Sequence, residues 1–148
     1  MDYKSTENWI LSRLPSYQAI GKKAYNPGLK NVVKFLSTLD LPIDSLNLIH
    51  VGGTNGKGST SSYISSILQE SNYQVGIFSS PHFFDFRERI KINNQKISKS
   101  FIVDFVNKYK SIIEELKLSF FELSFCISLA YFVHNDVDYG VIEVGLGG

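Results

Sequence analysis

The segment GGTNGKGST, residues 52–60, constrains the fold of this chain more than any other. The residues before it, 46–51, are typical of a buried strand. After it, apolar residues recur at helical spacing: Tyr63, Ile64, Ile67 and Leu68. A glycine-rich turn between a strand and a helix is the setting in which backbone N–H groups and a helix N-terminus bind phosphate. The segment therefore predicts an α/β unit with a phosphate-binding turn.

The residue types of this turn suit an anion. Glycines let the backbone approach a ligand closely, and Lys57 adds a positive charge. The segment departs from the P-loop pattern GxxxxGK[ST], which needs glycine in place of Val51 and a hydroxyl in place of Gly58. The alternative is an ordinary glycine-rich turn with a solvated lysine. The residues expected to contact phosphates are Gly53, Thr54, Asn55, Gly56, Lys57, Gly58, Ser59 and Thr60.

Two further motifs follow the turn. Residues 79–90 read SSPHFFDFRERI, and residues 141–148 read VIEVGLGG. With TNGKGS, these motifs resemble the three signatures of the folylpolyglutamate synthase and dihydrofolate synthase family, a branch of the Mur ligase superfamily. The resemblance extends from about Tyr25 to Gly148. Cell-wall ligases of the superfamily usually have threonine where Gly58 stands and lack SPH…ERI, so a Mur-type cell-wall amino-acid ligase is the weaker alternative.

The resemblance implies an α/β fold with a doubly wound, mostly parallel sheet, as in a truncated Mur-ligase-like central domain. Alternating helices and short apolar strands favour the same architecture. Family members are much longer than 148 residues and continue past GLGG. We therefore expect residues 1–148 to be a partial ATP-binding amino-terminal domain, inactive alone, with the remainder and a carboxy-terminal domain outside this chain. A short nucleotide-binding product without catalysis is the other possibility.

The chemistry that the resemblance implies is ATP-dependent amide formation. L-glutamate would be joined to a carboxylate of folate or dihydropteroate through an acyl phosphate, with Lys57 as the catalytic residue. Mg²⁺ would be bound by Ser80 and Glu143, since this ion prefers oxygen ligands. A carboxylate at the end of an apolar strand needs a cation or another partner when buried. For Glu143, a structural salt bridge is the alternative.

A pterin site is also implied. Phe121 is expected to place its ring against the pteridine, and the alternative is packing beside Phe120. Further residues expected at this site are Ser119, Gly28, Leu29, Pro81 and His82. An equally open role for His82 is to fix its loop through hydrogen bonds. Glu88 and Arg89 of the ERI segment are expected to stabilise the loop as an internal pair.

Composition limits the partners. The net charge is +1 with 20% charged residues, so no basic field indicates nucleic acid or an anionic membrane. The single cysteine, Cys126, excludes an internal disulfide and is expected to pack in an apolar helix. The start of the chain lacks the long apolar core of a secretory signal. We expect a cytoplasmic ligase with small-molecule substrates, monomeric when complete.

The remaining pattern predicts the other elements. Helices are expected over residues 6–14, from the loop around 25–29 through Leu39, over 100–116, and after a capping box of Ser119 and Glu122. Strands are expected over 74–78 and 139–144. A further strand at Ile90–Ile92 is expected to turn back at Asn93-Asn94, because asparagine tolerates positive φ.

Overall fold

The structure, a computed structural model, describes residues 1–14 and 28–145. The chain divides into two compact units. The first contains Met1–Asp40 and Lys99–Ile127, and the second contains Leu41–Ser98 and Ser128–Gly148. The glycine-rich turn at residues 52–58 and the whole β-sheet belong to the second unit.

The predicted helices and strands are present, with ends that shift by a few residues. Of the strand predicted as buried over residues 46–51, only Val51 is buried. The helices in the described ranges are α1 (Tyr3–Leu11), α2 (Lys30–Ser37), α3 (Lys57–Glu70), α4 (Lys99–Glu115) and α5 (Phe120–His134). The strands are β1 (Leu48–Val51), β2 (Val75–Phe78), β3 (Ile90–Ile92), β4 (Gln95–Lys96) and β5 (Tyr139–Glu143). Short 3₁₀ helices cover Ile43–Ser45 and Phe86–Arg89.

The sheet of the second unit has the strand order β1-β5-β2-β3-β4. β5 lies between β1 and β2 and pairs with both in parallel, while β3 is antiparallel to β2. Val51 pairs with Glu143, and Phe78 pairs with Ile142. The carboxyl ends of β1, β5 and β2 therefore meet at one edge of the sheet. The predicted mostly parallel α/β architecture is confirmed.

Helical residues cover both faces of the three parallel strands. On one face, Ile64 and Leu68 of α3 pack against a buried cluster of Val51, Val75 and Val141. On the other face, Phe132 of α5 lies against Gly76 and Gly140, which are register partners in β2 and β5. Alternate residues of a strand point to opposite faces, so the parallel strands form the doubly wound core of the unit.

The buried face of α3 differs from the predicted one. Tyr63 and Ile67 are 71% and 65% exposed, although their spacing placed them with Ile64 and Leu68. The fully buried positions of α3 are Ser61 and Ser65. Small side chains let a helix lie close to a sheet, so residue size rather than hydrophobicity marks this part of the interface.

The β3–β4 hairpin turns as predicted at Asn93-Asn94. Both residues have positive φ, 45° and 65°, which is typical of a type I′ turn. The Asn93 side chain also accepts a hydrogen bond from the Val75 N–H at 2.9 Å. The first asparagine therefore ties the hairpin to the start of β2.

In the first unit, polar side chains cap the starts of α1 and α5. α1 begins earlier than predicted because the Asp2 carboxylate accepts a hydrogen bond from the Ser5 N–H at 2.8 Å. The predicted capping box before α5 is confirmed: the Ser119 N–H donates to Glu122, and the Glu122 N–H donates to the Ser119 hydroxyl. Cys126 is fully buried in α5, as expected of a packing residue.

Candidate nucleotide-binding site

The turn after β1 has the backbone that a phosphate loop requires. Gly53 and Gly56 have φ values of 140° and 79°, a region that side chains with a Cβ rarely adopt. Gly56 is the N-cap of α3, and no side chain caps this helix end. The first N–H groups of a helix have no intrahelical acceptor. The start of α3 is therefore an anion-binding end, beside a turn that only glycine fits well.

Lys57 is the first residue of α3 and lies over the turn. Its Nζ donates a hydrogen bond to the Gly53 carbonyl at 2.6 Å. The neighbouring residues of the turn, 52–56 and 58–60, are exposed. The lysine charge thus lies beside the backbone groups that were predicted to hold phosphates. The side chain is long enough for its ammonium group to leave the Gly53 carbonyl and bind an anion instead.

Glu143 lies next to the start of α3. A Cβ placed on Gly58 would be 3.8 Å from the Glu143 Oε2 atom. Glu143 is the last residue of β5, is 4% exposed, and pairs in register with Val51, the residue before the turn. The sheet therefore brings the predicted metal ligand and the predicted phosphate contacts to the same edge.

A buried guanidinium accompanies this carboxylate. Arg89 is 7% exposed. Burial lowers the pKa of Arg89, and the negative charge of Glu143 only partly offsets this effect. Glu143 therefore has a cationic neighbour in its own unit, in keeping with the structural alternative stated for it.

The oxygen donors at this edge suit magnesium. Ser80 is half-buried and follows β2 by two residues, at the edge where Glu143 ends β5. Within residues 1–14 and 28–145, no group of three or more His, Cys, Asp or Glu side chains could hold a metal ion. A carboxylate and a hydroxyl are hard ligands, and Mg²⁺ usually keeps several waters and phosphate oxygens. The residues present therefore fit a magnesium ion that binds with a nucleotide.

The SSPH loop, residues 79–82, is fixed by hydrogen bonds. The Arg89 Nε–H donates to His82 Nδ1 at 2.7 Å. The Glu88 carboxylate accepts the Phe83 N–H at 2.8 Å and lies 3.7 Å from the Lys96 ammonium. Glu88 and Arg89 thus each contact the loop, but through separate partners rather than as the predicted internal pair. His82 thus has a hydrogen bond of the kind that a loop-fixing residue makes, and its contact with a pterin stays a prediction.

Sequence reasoning missed the link from Arg89 to both His82 and Glu143. The ERI segment pointed to Arg89, but sequence neighbours suggested Glu88 as its partner. A 3₁₀ helix, Phe86–Arg89, turns the chain back so that Arg89 faces the loop seven residues earlier. The Asp85 carboxylate, which accepts the Arg87 N–H, caps this helix and was the available signal.

The predicted pterin residues outside the SSPH loop belong to the first compact unit. Gly28 has a φ of 148°, and Leu29 is 73% exposed at the start of α2. Phe120 is buried, whereas Phe121 is half-buried. Ser119 contributes to the cap of α5. Pro81, in the second unit, is exposed. Pterin contacts by these residues stay predictions.

Comparison with known proteins identifies the family. No protein-family model matches the chain. The dihydrofolate synthase/folylpolyglutamate synthase of Bacillus subtilis is 36% identical over 99% of this chain. The chain belongs to the folylpolyglutamate synthase/dihydrofolate synthase family. It spans 34% of the length of that relative, and less of other curated members.

Solved structures of the family share this fold. The folylpolyglutamate synthase of Thermotoga maritima is 35% identical, with a TM-score of 0.85 over 99% of this chain and 34% of its own. An FPGS–AMPPCP–folate complex is 31% identical, with a TM-score of 0.84 over 100% of this chain and 36% of its own. Both compact units of the chain therefore have counterparts in these structures.

Among residues 1–14 and 28–145, no helix combines the length and the apolar content that crossing a membrane requires.

Proposed function

We propose that this chain is the ATP-binding part of a ligase that joins L-glutamate to a carboxylate of folate or dihydropteroate. One observation carries the proposal: the glycine turn, Lys57 and the buried Glu143 converge at one edge of the sheet. The names of the relatives and the AMPPCP and folate of the related complex support these ligands. The 148 residues would form a partial amino-terminal ATP-binding domain of a monomeric enzyme.

The turn would hold the phosphates of ATP through its backbone. The first N–H groups of α3 point out of the helix end, where the helix dipole favours negative charge. Thr54 and Ser59 offer hydroxyl groups beside them. Lys57 would exchange its hydrogen bond to the Gly53 carbonyl for a phosphate oxygen. Lys57 would then stabilise the charge that moves onto the leaving ADP.

The reaction needs no covalent intermediate on the protein. An oxygen of the substrate carboxylate forms a bond to the γ-phosphorus as the bond to ADP breaks. The amino nitrogen of glutamate then bonds to the acyl carbon, loses a proton, and phosphate leaves. Positioning and charge stabilisation suffice for such a transfer. Mg²⁺, held by Glu143 and Ser80, would supply a compensating charge for the phosphates.

The test is ADP release by the full-length protein, with ATP, Mg²⁺, glutamate and either dihydropteroate or tetrahydrofolate. We expect release to require both glutamate and one of the pterin substrates. Lys57→Ala should lower the rate by about 100-fold or more, the loss typical of removing one charge-stabilising donor. Lys34→Ala, which removes an exposed lysine of α2, is the matched control and should leave the rate unchanged.

The outcomes separate the alternatives. Near-normal turnover by Lys57→Ala would remove Lys57 from the mechanism. ADP release with a muramyl substrate instead of a pterin would favour the cell-wall ligase. Nucleotide binding without any glutamate-dependent ADP release would contradict the ligase proposal.

A further inference from the structure

The loop segment that carries Ser80 is held at both ends by one residue, Arg89. The Ser79 N–H donates to the Arg89 backbone carbonyl at 2.9 Å. The Arg89 Nε–H donates to His82 Nδ1 at 2.7 Å. Only Ser80 and Pro81 lie between these two anchors. A two-residue segment fixed at both ends has little conformational freedom, so the position of Ser80 depends on Arg89.

The His82 ring has a second support. Phe86 packs edge-on against it, with a ring centroid distance of 6.3 Å and an interplanar angle of 73°. Phe86 is 1% exposed, so this support is part of the buried core. The acceptor nitrogen of His82 is therefore held towards Arg89 by packing as well as by its hydrogen bond.

Arg89 also faces the end of β5. Ser79 follows Phe78, which pairs with Ile142, so Ser79 is level with Glu143 in the sheet. Arg89 and Glu143 are both buried and carry opposite charges that interact. A buried guanidinium is stabilised by such a counter-charge.

We propose that Arg89 is a positioning residue, which places the Ser80 hydroxyl at the end of β5 so that it and the Glu143 carboxylate bind one divalent cation. This inference rests on the proposed function, because that function makes Ser80 and Glu143 the metal ligands. Arg89 acts through His82 and the backbone of Ser79.

The first test varies the acceptor of the Arg89 hydrogen bond in the full-length protein. Binding of Mn²⁺ in the presence of AMPPCP is measured by electron paramagnetic resonance, which needs no turnover. His82→Leu removes the acceptor, and we expect the affinity for Mn²⁺ to fall about tenfold, as for other residues that orient metal ligands. His82→Asn places an amide oxygen near the former Nδ1 position and should restore the affinity to within about twofold.

Comparing His82→Leu with His82→Asn distinguishes a positioning role of the Arg89–His82 hydrogen bond from a direct contact of His82 with substrate. If His82 contacts substrate itself, Asn and Leu should impair turnover alike and leave Mn²⁺ affinity unchanged. That result would overturn the inference. Equal losses of Mn²⁺ affinity in both variants would also overturn it, because the hydrogen-bond acceptor would then be irrelevant.

A second test asks whether the effect passes through Ser80. Ser80→Ala removes the hydroxyl ligand, and His82→Leu is then added to it. Because a misplaced hydroxyl and a missing one lose the same contact, we expect the double variant to bind Mn²⁺ no more weakly than Ser80→Ala, within about twofold. Additive losses of affinity would show that His82 and Arg89 act elsewhere.

The urea midpoint of each variant serves as the control for correct folding. A third variant, Arg89→Lys, tests the proposal independently of His82. The lysine keeps the charge near Glu143 but lacks the planar donor set. We therefore expect Arg89→Lys to weaken Mn²⁺ binding about as much as His82→Leu. If the unsubstituted protein binds no Mn²⁺ beyond that bound by AMPPCP, the proposed metal site fails, and this inference with it. Normal binding by Arg89→Lys and His82→Leu would overturn the inference alone.

Discussion

Gly76→Ala should make the second unit unfold at a lower urea concentration than the unsubstituted protein does. Gly76 lies in β2, directly beneath the ring of Phe132. An added Cβ would lie 2.6 Å from two carbons of that ring and 2.8 Å from a third. Carbon atoms pack best at about 3.5 Å or more, so the ring would have to withdraw by about 0.9 Å.

The surroundings of Phe132 prevent that withdrawal. The ring is fully buried, so moving away from the sheet would push it into other core atoms. Overpacking of a filled core typically costs about 1–3 kcal/mol. Alanine also restricts the unfolded chain, which favours folding by about 0.4–1 kcal/mol. With three close ring atoms, we expect the steric cost to dominate, for a net loss of about 2 kcal/mol.

Urea unfolding of the purified protein, followed by circular dichroism, measures this loss as a lower midpoint. Gly58→Ala is the control, because its Cβ would meet the Glu143 Oε2 atom at an ordinary 3.8 Å and lies in the first turn of α3. We expect that variant to be neutral or more stable by up to about 1 kcal/mol. In a Phe132→Leu background, Gly76→Ala should cost less than about 1 kcal/mol. Equal midpoints for Gly76→Ala and Gly58→Ala would refute the steric reasoning.

Three further predictions concern exposure, pH and reactivity. Phe84→Ser should change stability by less than about 0.5 kcal/mol because Phe84 is 96% exposed, whereas Phe86→Ser at 1% exposure should cost about 3–5 kcal/mol; equal urea midpoints would contradict this. The pKa of Glu88 lies below its ordinary 4.5, mainly because the Phe83 N–H donates a hydrogen bond to its carboxylate. The charged form of Glu88 therefore stabilises the fold above about pH 4.5, and this contribution is lost as the pH falls through the lower pKa of the folded state. Glu88→Gln should therefore lose less stability than the unsubstituted protein between about pH 5 and pH 3, as read from urea midpoints. Burial, and secondarily Glu122, raises the pKa of Cys126, so this thiol should resist an aromatic disulfide reagent until urea unfolds the protein; rapid labelling of the native state would contradict its burial.

Local signals predicted the turn and the edge that it shares with Glu143. The glycines of residues 52–58 indicated a tight turn, and Gly53 and Gly56 adopt the positive φ values that such a turn uses. The apolar strand ending at Glu143 indicated a buried carboxylate, and the residue is 4% exposed. Each inference used residues within one element and the next, where chain sterics decide the conformation. The hairpin at Asn93-Asn94 was predictable for the same reason.

Features that depend on strand register were not predictable. The contact of Phe132 with Gly76 and Gly140 requires that the two glycines pair across β2 and β5. Which face of α3 is buried depends on how closely that helix approaches the sheet. Ser61 and Ser65 are buried there because their side chains are small. Apolar periodicity indicates which residues share one face of a helix, whereas these contacts depend on the distance between that helix and the sheet.

The balance of charge at the candidate site bears on the order of binding. Glu143 already has Arg89 as a cationic neighbour, so a metal ion that arrives alone gains little from this carboxylate. Lys57 contributes one further positive charge, and the uncapped start of α3 contributes the equivalent of about half a positive charge. The edge is therefore electropositive without ligands, and a polyphosphate would be attracted to it before a free cation. Since phosphate oxygens then add negative charge beside Glu143, a divalent cation should bind to this edge together with the nucleotide rather than ahead of it.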